Sequence, residues 1–216
     1  MYTFEDLVTR VLARAAEPGT SVIGIAGAPG AGKSTLTEAL VVAGRARLGD
    51  DAVAHVPMDG FHLADVELRR LGRLDRKGAP DTFDVAGYAA LLRRIRGRTE
   101  VVYAPGFERH IEQPVAGAIP VFPGTAVVLT EGNYLLLDDP AWSAVSAEID
   151  EIWFCVTEDD LRVTRLVARH IAFGKPAGAA RRWVAEVDEP NARLVAATAE
   201  RADLVVPAAA VRPSSH

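Results

Sequence analysis

The chain is poor in cysteine and lysine and has no long apolar run. Its single cysteine, Cys155, excludes an internal disulfide. That residue lies inside an apolar stretch and reads as a buried strand position in a reducing compartment. No run of about 18 apolar residues occurs, which argues against a membrane-spanning helix. The opening residues Met1-Tyr2-Thr3-Phe4-Glu5-Asp6 lack the basic-then-apolar order of a secretory leader. These absences predict a cytoplasmic protein. A formal net charge of −5 gives no broad attraction to nucleic acid. Lysine occurs only at 33, 77 and 175, so arginine carries nearly all the positive charge. Repeats and low-complexity tracts are also missing. What remains is 216 residues with a 49% apolar fraction, enough for one domain over 1–216 with its own core.

The most informative segment is Gly27-Ala28-Pro29-Gly30-Ala31-Gly32-Lys33-Ser34-Thr35. It has the G-x-x-x-x-G-K-[ST] spacing and lies between an apolar strand and a helix-forming stretch. Glycines let successive N–H groups turn inward onto phosphate oxygens, and the following helix adds its positive dipole end. Lys33 can reach the β- and γ-phosphates, and the Ser34 hydroxyl can ligand Mg²⁺. The segment predicts a bound nucleoside triphosphate.

Apolar spacing predicts helices over 4–16, 34–48, 66–71, 85–96, 158–173, 179–187 and 190–202. Strands are expected at 21–26, 52–57, 101–103, 126–130, 149–156 and 204–206. The segments 72–83 and 104–123 read as irregular. Continuous apolar strands alternating with helices predict an α/β/α three-layer fold with a mostly parallel central sheet. Ligands in such sheets bind beyond the carboxyl ends of the strands. The phosphate loop, Asp59 to His62, and Glu131 to Tyr134 all fall at such ends.

Asp59 can take the proton of an attacking hydroxyl, can serve a metal, or can be a turn residue before Gly60. Glu131 ends the most apolar strand. It can hold magnesium directly or through water, or simply lead the chain into solvent. Arg162, Arg165 and Arg169 are spaced to share one helix face, and Arg181 and Arg182 follow a Gly/Pro break. Such a segment, about 162–187, reads as a helical lid whose arginines close over the transferred phosphoryl group, or as a solvated stripe. Arg76 and Lys77 read as substrate or phosphate contacts. Arg109 lies in the longest irregular stretch and Tyr103 at its entrance; both are candidate substrate contacts, as are His62 and Asn133. The histidines lack metal-ligand spacing.

Four segments together resemble the phosphoribulokinase/uridine kinase family: 27–35, Met58-Asp59-Gly60-Phe61-His62, Arg76-Lys77-Gly78-Ala79-Pro80-Asp81-Thr82-Phe83-Asp84, and Glu131-Gly132-Asn133-Tyr134. The nearest variety is its bacterial-type pantothenate kinase branch with related nucleoside and fructokinase-like proteins. The resemblance spans about 21–206. It implies a P-loop kinase using ATP and Mg²⁺ to phosphorylate a small-molecule hydroxyl. By motif it implies Asp59 as base, Glu131 at the metal, Arg165 and Arg169 in the lid, and 205–207 near the adenine. Relatives are often homodimers, though no interface is legible here. The chain departs from pantothenate kinases at Val102-Tyr103-Ala104-Pro105, where they carry Val-Tyr-Ser-His, so the acceptor stays open. A nucleotide kinase with a phosphate acceptor is a second reading. A P-loop ATPase switch is a third, against which stand the missing Asn-Lys-x-Asp and Leu-Ser-Gly-Gly motifs.

Overall fold

A computed structural model describes residues 2–207. Met1 and 208–216, the ends of the expected 1–216 span, lie outside the described residues. Helix α1 (Phe4–Ala15) starts at a capping box, with Thr3 and Asp6 satisfying each other's backbone N–H. Strand β1 (Ser21–Ala26) is buried at every position and leads through the glycine loop into α2 (Lys33–Leu48). Strand β2 (Val53–Pro57), α3 (Asp65–Arg70) and α4 (Val85–Gly97) follow. Next come β3 (Val102–Glu108), β4 (Gln113–Val121), β5 (Val127–Gly132), α5 (Pro140–Ser146) and β6 (Glu151–Val156). The chain closes with α6 (Asp159–Ala172), α7 (Ala177–Trp183), a π-helical turn (Val184–Asp188), α8 (Glu189–Ala196) and β7 (Leu204–Pro207).

The central sheet is entirely parallel, in the order β2-β5-β1-β6-β7. Alternate residues of its strands feed two cores. Ile23, Ile25, Val127 and Leu129 pack with Leu7, Val11, Leu36 and Leu40 from α1 and α2. Val22, Val56, Val128 and Phe154 pack on the other face with Tyr88, Leu92 and Trp142 from α4 and α5. This is the expected three-layer α/β/α arrangement, and burial on both faces explains why the strands read as unbroken apolar runs. Cys155 is buried on β6, and burial pushes its thiol up to about 11. No helix among the described residues is long and apolar enough to cross a membrane.

The expected irregular stretch 104–123 is instead an antiparallel hairpin, β3 paired with β4. Pro105, Pro114 and Pro120 argue against strand, yet proline is tolerated at edges and bulges. The register shifts between Ala104 and Gly106. Most of β4 is exposed or half-buried, so no apolar alternation marks it. Helix α5 is a second addition; Asp139 caps it and Pro140 occupies its first turn. The last helix ends at Ala196 rather than 202, with a separate 3₁₀ turn at Ala199–Arg201.

The hairpin stands on the turn that follows β2. A Cβ at Gly60 would lie 2.2 Å from the Pro105 carbonyl oxygen. Gly60→Ala should therefore cost about 2 kcal/mol of unfolding free energy in urea titrations. Gly97→Ala, whose methyl would meet nothing within 4 Å, should leave stability unchanged or slightly raised.

Candidate active site

Parallel register aligns three strand ends. Pro57 of β2 and Ile25 of β1 both pair with Glu131 of β5, and Ala26 pairs with Gly132. The phosphate loop, Asp59 and Glu131 therefore leave the sheet at one level.

The loop turns through Gly27, Gly30 and Gly32, all at positive φ (148°, 78° and 93°). At Gly30 space is also decisive. A Cβ there would stand 2.8 Å from Leu166 Cγ and 2.9 Å from the Arg162 carbonyl oxygen, so α6 lies directly on the loop. Ala28, Pro29 and Ala31 complete the bend, and the Ala31 carbonyl accepts from Thr157 Oγ1 at 3.1 Å. Lys33 is buried, and its Nζ donates to the Ala28 carbonyl at 3.1 Å and to Asn133 Oδ1 at 2.8 Å. Burial lowers its pKa, opposed by the charges of Glu131 and Asp59. Ser34 Oγ donates to Glu131 Oε1 at 3.1 Å.

Glu131 is only 6% exposed. Burial, reinforced by the nearby Asp59 carboxylate, raises its pKa. Asp59 goes the other way. Burial opposes its ionisation, but His62, Arg109, Arg169 and Lys33 together outweigh that and hold it below the usual carboxylate range. Arg109 Nη2, carried by the hairpin, lies 3.0 Å from Asp59 Oδ2. His62 Nδ1 donates to the Asp59 carbonyl at 2.8 Å, and its ring packs 4.1 Å from Phe83 and 5.0 Å from Phe107. Neighbouring carboxyls with opposite pKa shifts mark a site built for acid–base or cation chemistry.

The residues fit a magnesium ion by their chemistry. Ser34 and Glu131 present hard oxygens in hydrogen-bond contact, and a buried carboxylate whose ionisation is opposed gains from a divalent cation. No group of three or more His, Cys, Asp and Glu forms a metal cluster among the described residues. That is the usual pattern where one or two carboxylates share the ion with substrate phosphates.

Two recesses open from this centre. One, of about 390 Å³, lies over the loop and Thr35 and is walled by Arg109, Arg165 and Arg169. Arg165 and Arg169 make no ion pair among the described residues, so their charge faces the recess. Arg162 differs: it is buried and bonds Asp159 and Glu189, tying α6 to α8. The other recess, of about 360 Å³, runs from Lys33 and Asp59 past His62 and Asn133 to the far end of α6. Lys77 borders it, yet its ammonium is held by Asp65 Oδ1 at 2.6 Å and by the Glu112 carbonyl. Arg76 does not reach it; its guanidinium pairs with Asp81 at 2.7 Å on the surface. Tyr103 is 61% exposed on the hairpin's outer face and also stays away. His170, Lys175, Trp183, Asp188 and Asn191 line the far wall and were not singled out by spacing.

No family model matches the chain. Schizosaccharomyces pombe C227.14, which carries a provisional uridine kinase name, is 34% identical over 177 residues, covering 80% of this chain and 75% of that protein. The uncharacterized Escherichia coli protein YggC is 33% identical over 186 residues, covering 86% and 77%. A crystal structure from Silicibacter sp. TM1040, provisionally described as a fructose transport system kinase, superposes with a TM-score of 0.86 at 37% identity, covering 96% of this chain and all of that one. The fold and these similarities define a P-loop kinase. The chain belongs to the phosphoribulokinase/uridine kinase-type family of P-loop kinases and is an ATP-dependent kinase.

Removing the Arg109 charge should let the Asp59 pKa rise. In a carboxyl ¹³C NMR titration, Arg109→Leu is expected to move the Asp59 midpoint upward toward the ordinary carboxylate range. An unmoved midpoint would mean that Arg109 does not set the charge of Asp59.

Proposed function

We propose that the protein transfers the γ-phosphoryl group of ATP to a hydroxyl of a small molecule such as a sugar, a nucleoside or a pantothenate-like alcohol. The observation that carries this reading is Asp59, a carboxylate that lines the recess of about 360 Å³ with Lys33 and is paired at 3.0 Å with Arg109, a residue that borders both recesses. In this reading ATP phosphates lie on the loop from Gly27 to Thr35 with Lys33 beneath them. Ser34 and Glu131 would hold Mg²⁺, which would supply charge neutralisation for the transferred phosphoryl group. The acceptor hydroxyl gives its proton to Asp59 as its oxygen bonds to the γ-phosphorus. The bond to the β-phosphate bridging oxygen breaks, and ADP leaves with that electron pair. Arg165 and Arg169, on a lid at about 162–187, face the charge that spreads over the phosphoryl oxygens. A cytoplasmic location and a homodimer belong to the same reading.

A nucleotide kinase needs free basic groups for its acceptor phosphate. Arg73 and Arg76 are both engaged with Asp81, and Lys77 with Asp65. That engagement favours a hydroxyl acceptor. The provisional uridine and fructose kinase names of similar proteins point the same way.

Asp59→Asn is the discriminating variant. Acceptor-stimulated ADP release should fall about 10³-fold while ATP affinity holds. A loss below about tenfold would contradict the base role and favour a phosphate acceptor. Lys33→Ala should abolish turnover with the fold intact by circular dichroism. Wild-type turnover in that variant would remove the phosphate-loop assignment.

A further inference from the structure

At the end of the acceptor recess away from the phosphate loop, two lid side chains face each other. Asp188 closes the π-helical turn Val184–Asp188 between α7 and α8. Such turns widen the helix by one residue and recur where a side chain is re-aimed at a ligand. Asp188 is 9% exposed and is among the residues that line the recess. Its Oδ2 accepts from His170 Nε2 at 2.8 Å. Its Oδ1 accepts no hydrogen bond among the described residues and is not closed off from solvent, so it is open to an incoming donor. His170 also sits against Trp183, with ring centroids 6.4 Å apart. Asp59, at the loop end, and Asp188, at the lid end, line the same recess.

We infer that His170 and Asp188 form an acceptor-reading pair that takes a second hydroxyl of a neutral polyol, such as a sugar or the ribose of a nucleoside. The inference rests on the hydroxyl-kinase reading above. A carboxylate only accepts, so the group it meets must bring an O–H or N–H. An acceptor with a carboxylate or phosphate directly against Asp188 meets its charge, while Lys175, over the Trp183 ring on the same wall, is the group through which an anionic acceptor would compete. Asp188 then selects the acceptor by binding it, while His170 fixes the orientation of Asp188. A recess of about 360 Å³ lies in the size range of small-ligand clefts. Asp188 touches substrate without reacting, so its effect falls on acceptor binding and not on ATP.

The test is ADP release from Mg-ATP with D-fructose, D-ribose and uridine, with their deoxy analogues, and with glycerate and pantothenate as anionic acceptors. ATP affinity is measured separately by calorimetry with a non-hydrolysable ATP analogue. The wild-type protein should use a neutral polyol and lose about 30-fold in kcat/KM on an analogue lacking one hydroxyl. Asp188→Asn should raise the acceptor KM about tenfold with kcat little changed and ATP affinity unchanged. It should also shrink the deoxy penalty to about threefold or less, a change that a merely structural role would not produce. His170→Gln should move both quantities in the same direction by less, and it carries the comparison if Asp188→Asn does not fold. The inference is overturned if both variants keep the wild-type acceptor KM and deoxy penalty. It is also overturned if an anionic acceptor outperforms every polyol, or if no polyol stimulates release. The kinase reading survives the anionic result and fails separately, through brisk ATP hydrolysis that needs no acceptor.

Discussion

Three charged side chains share a recess at the ends of β1, β2 and β5, and the molecule around them is arranged to keep those charges tolerable. Lys33 is buried with a carbonyl and an amide oxygen as its direct partners. Glu131 is buried with a serine hydroxyl. Asp59 is the one with a cation in contact, and that cation arrives from outside the sheet. Charges desolvated this far are stable only with oriented partners, and they interact strongly with whatever charge enters. In the proposed reading a triphosphate with its metal would supply the missing partners for Lys33 and Glu131 together, and the buried charges would be an electrostatic tension that substrate relieves.

Parallel pairing supplies the geometry, because residues in register at Pro57, Ile25 and Glu131 must leave the sheet side by side. The hairpin supplies the second constraint. Gly60 admits the Pro105 carbonyl where any Cβ would exclude it, and this contact docks β3 on the Asp59 turn. Arg109 then reaches Asp59, and the Phe107 ring packs beside His62. On the opposite side α6 lies against Gly30, so the segment bearing Arg165 and Arg169 touches the loop itself. Phosphate loop, Asp59 and the α6 arginines are coupled through two glycine contacts and one ion pair.

The parts of this site that lie within a few residues of a strand end were legible in the sequence. The loop, Asp59 and Glu131 each follow an apolar run that announces its own end. The hairpin was hidden because prolines and exposed positions erase the period-two signal. Tyr103 illustrates the cost: the expected strand ended at 103, too short to show the alternation with buried Val102 and Ala104 that turns Tyr103 outward. Arg76 and Lys77 are neighbours of like charge with different fates. The 3₁₀ turn Leu74–Arg76 leaves Arg76 on Asp81 and Lys77 toward the recess. Asp188 fell in the gap between the expected helices 179–187 and 190–202, since a π turn leaves no mark in apolar spacing. Pairings such as Arg109 with Asp59, 50 residues apart, are made by tertiary packing and have no local signature.

The central claim is that the phosphoryl group leaves ATP for an alcohol. Following the γ-phosphate of [γ-³²P]ATP in the presence of Mg²⁺ and a mixture of polyols and nucleoside monophosphates tests it most directly. The account predicts label in an alkali-stable phosphate monoester of a hydroxyl compound. Label recovered as inorganic phosphate, or in the terminal phosphate of a nucleoside diphosphate, would contradict it.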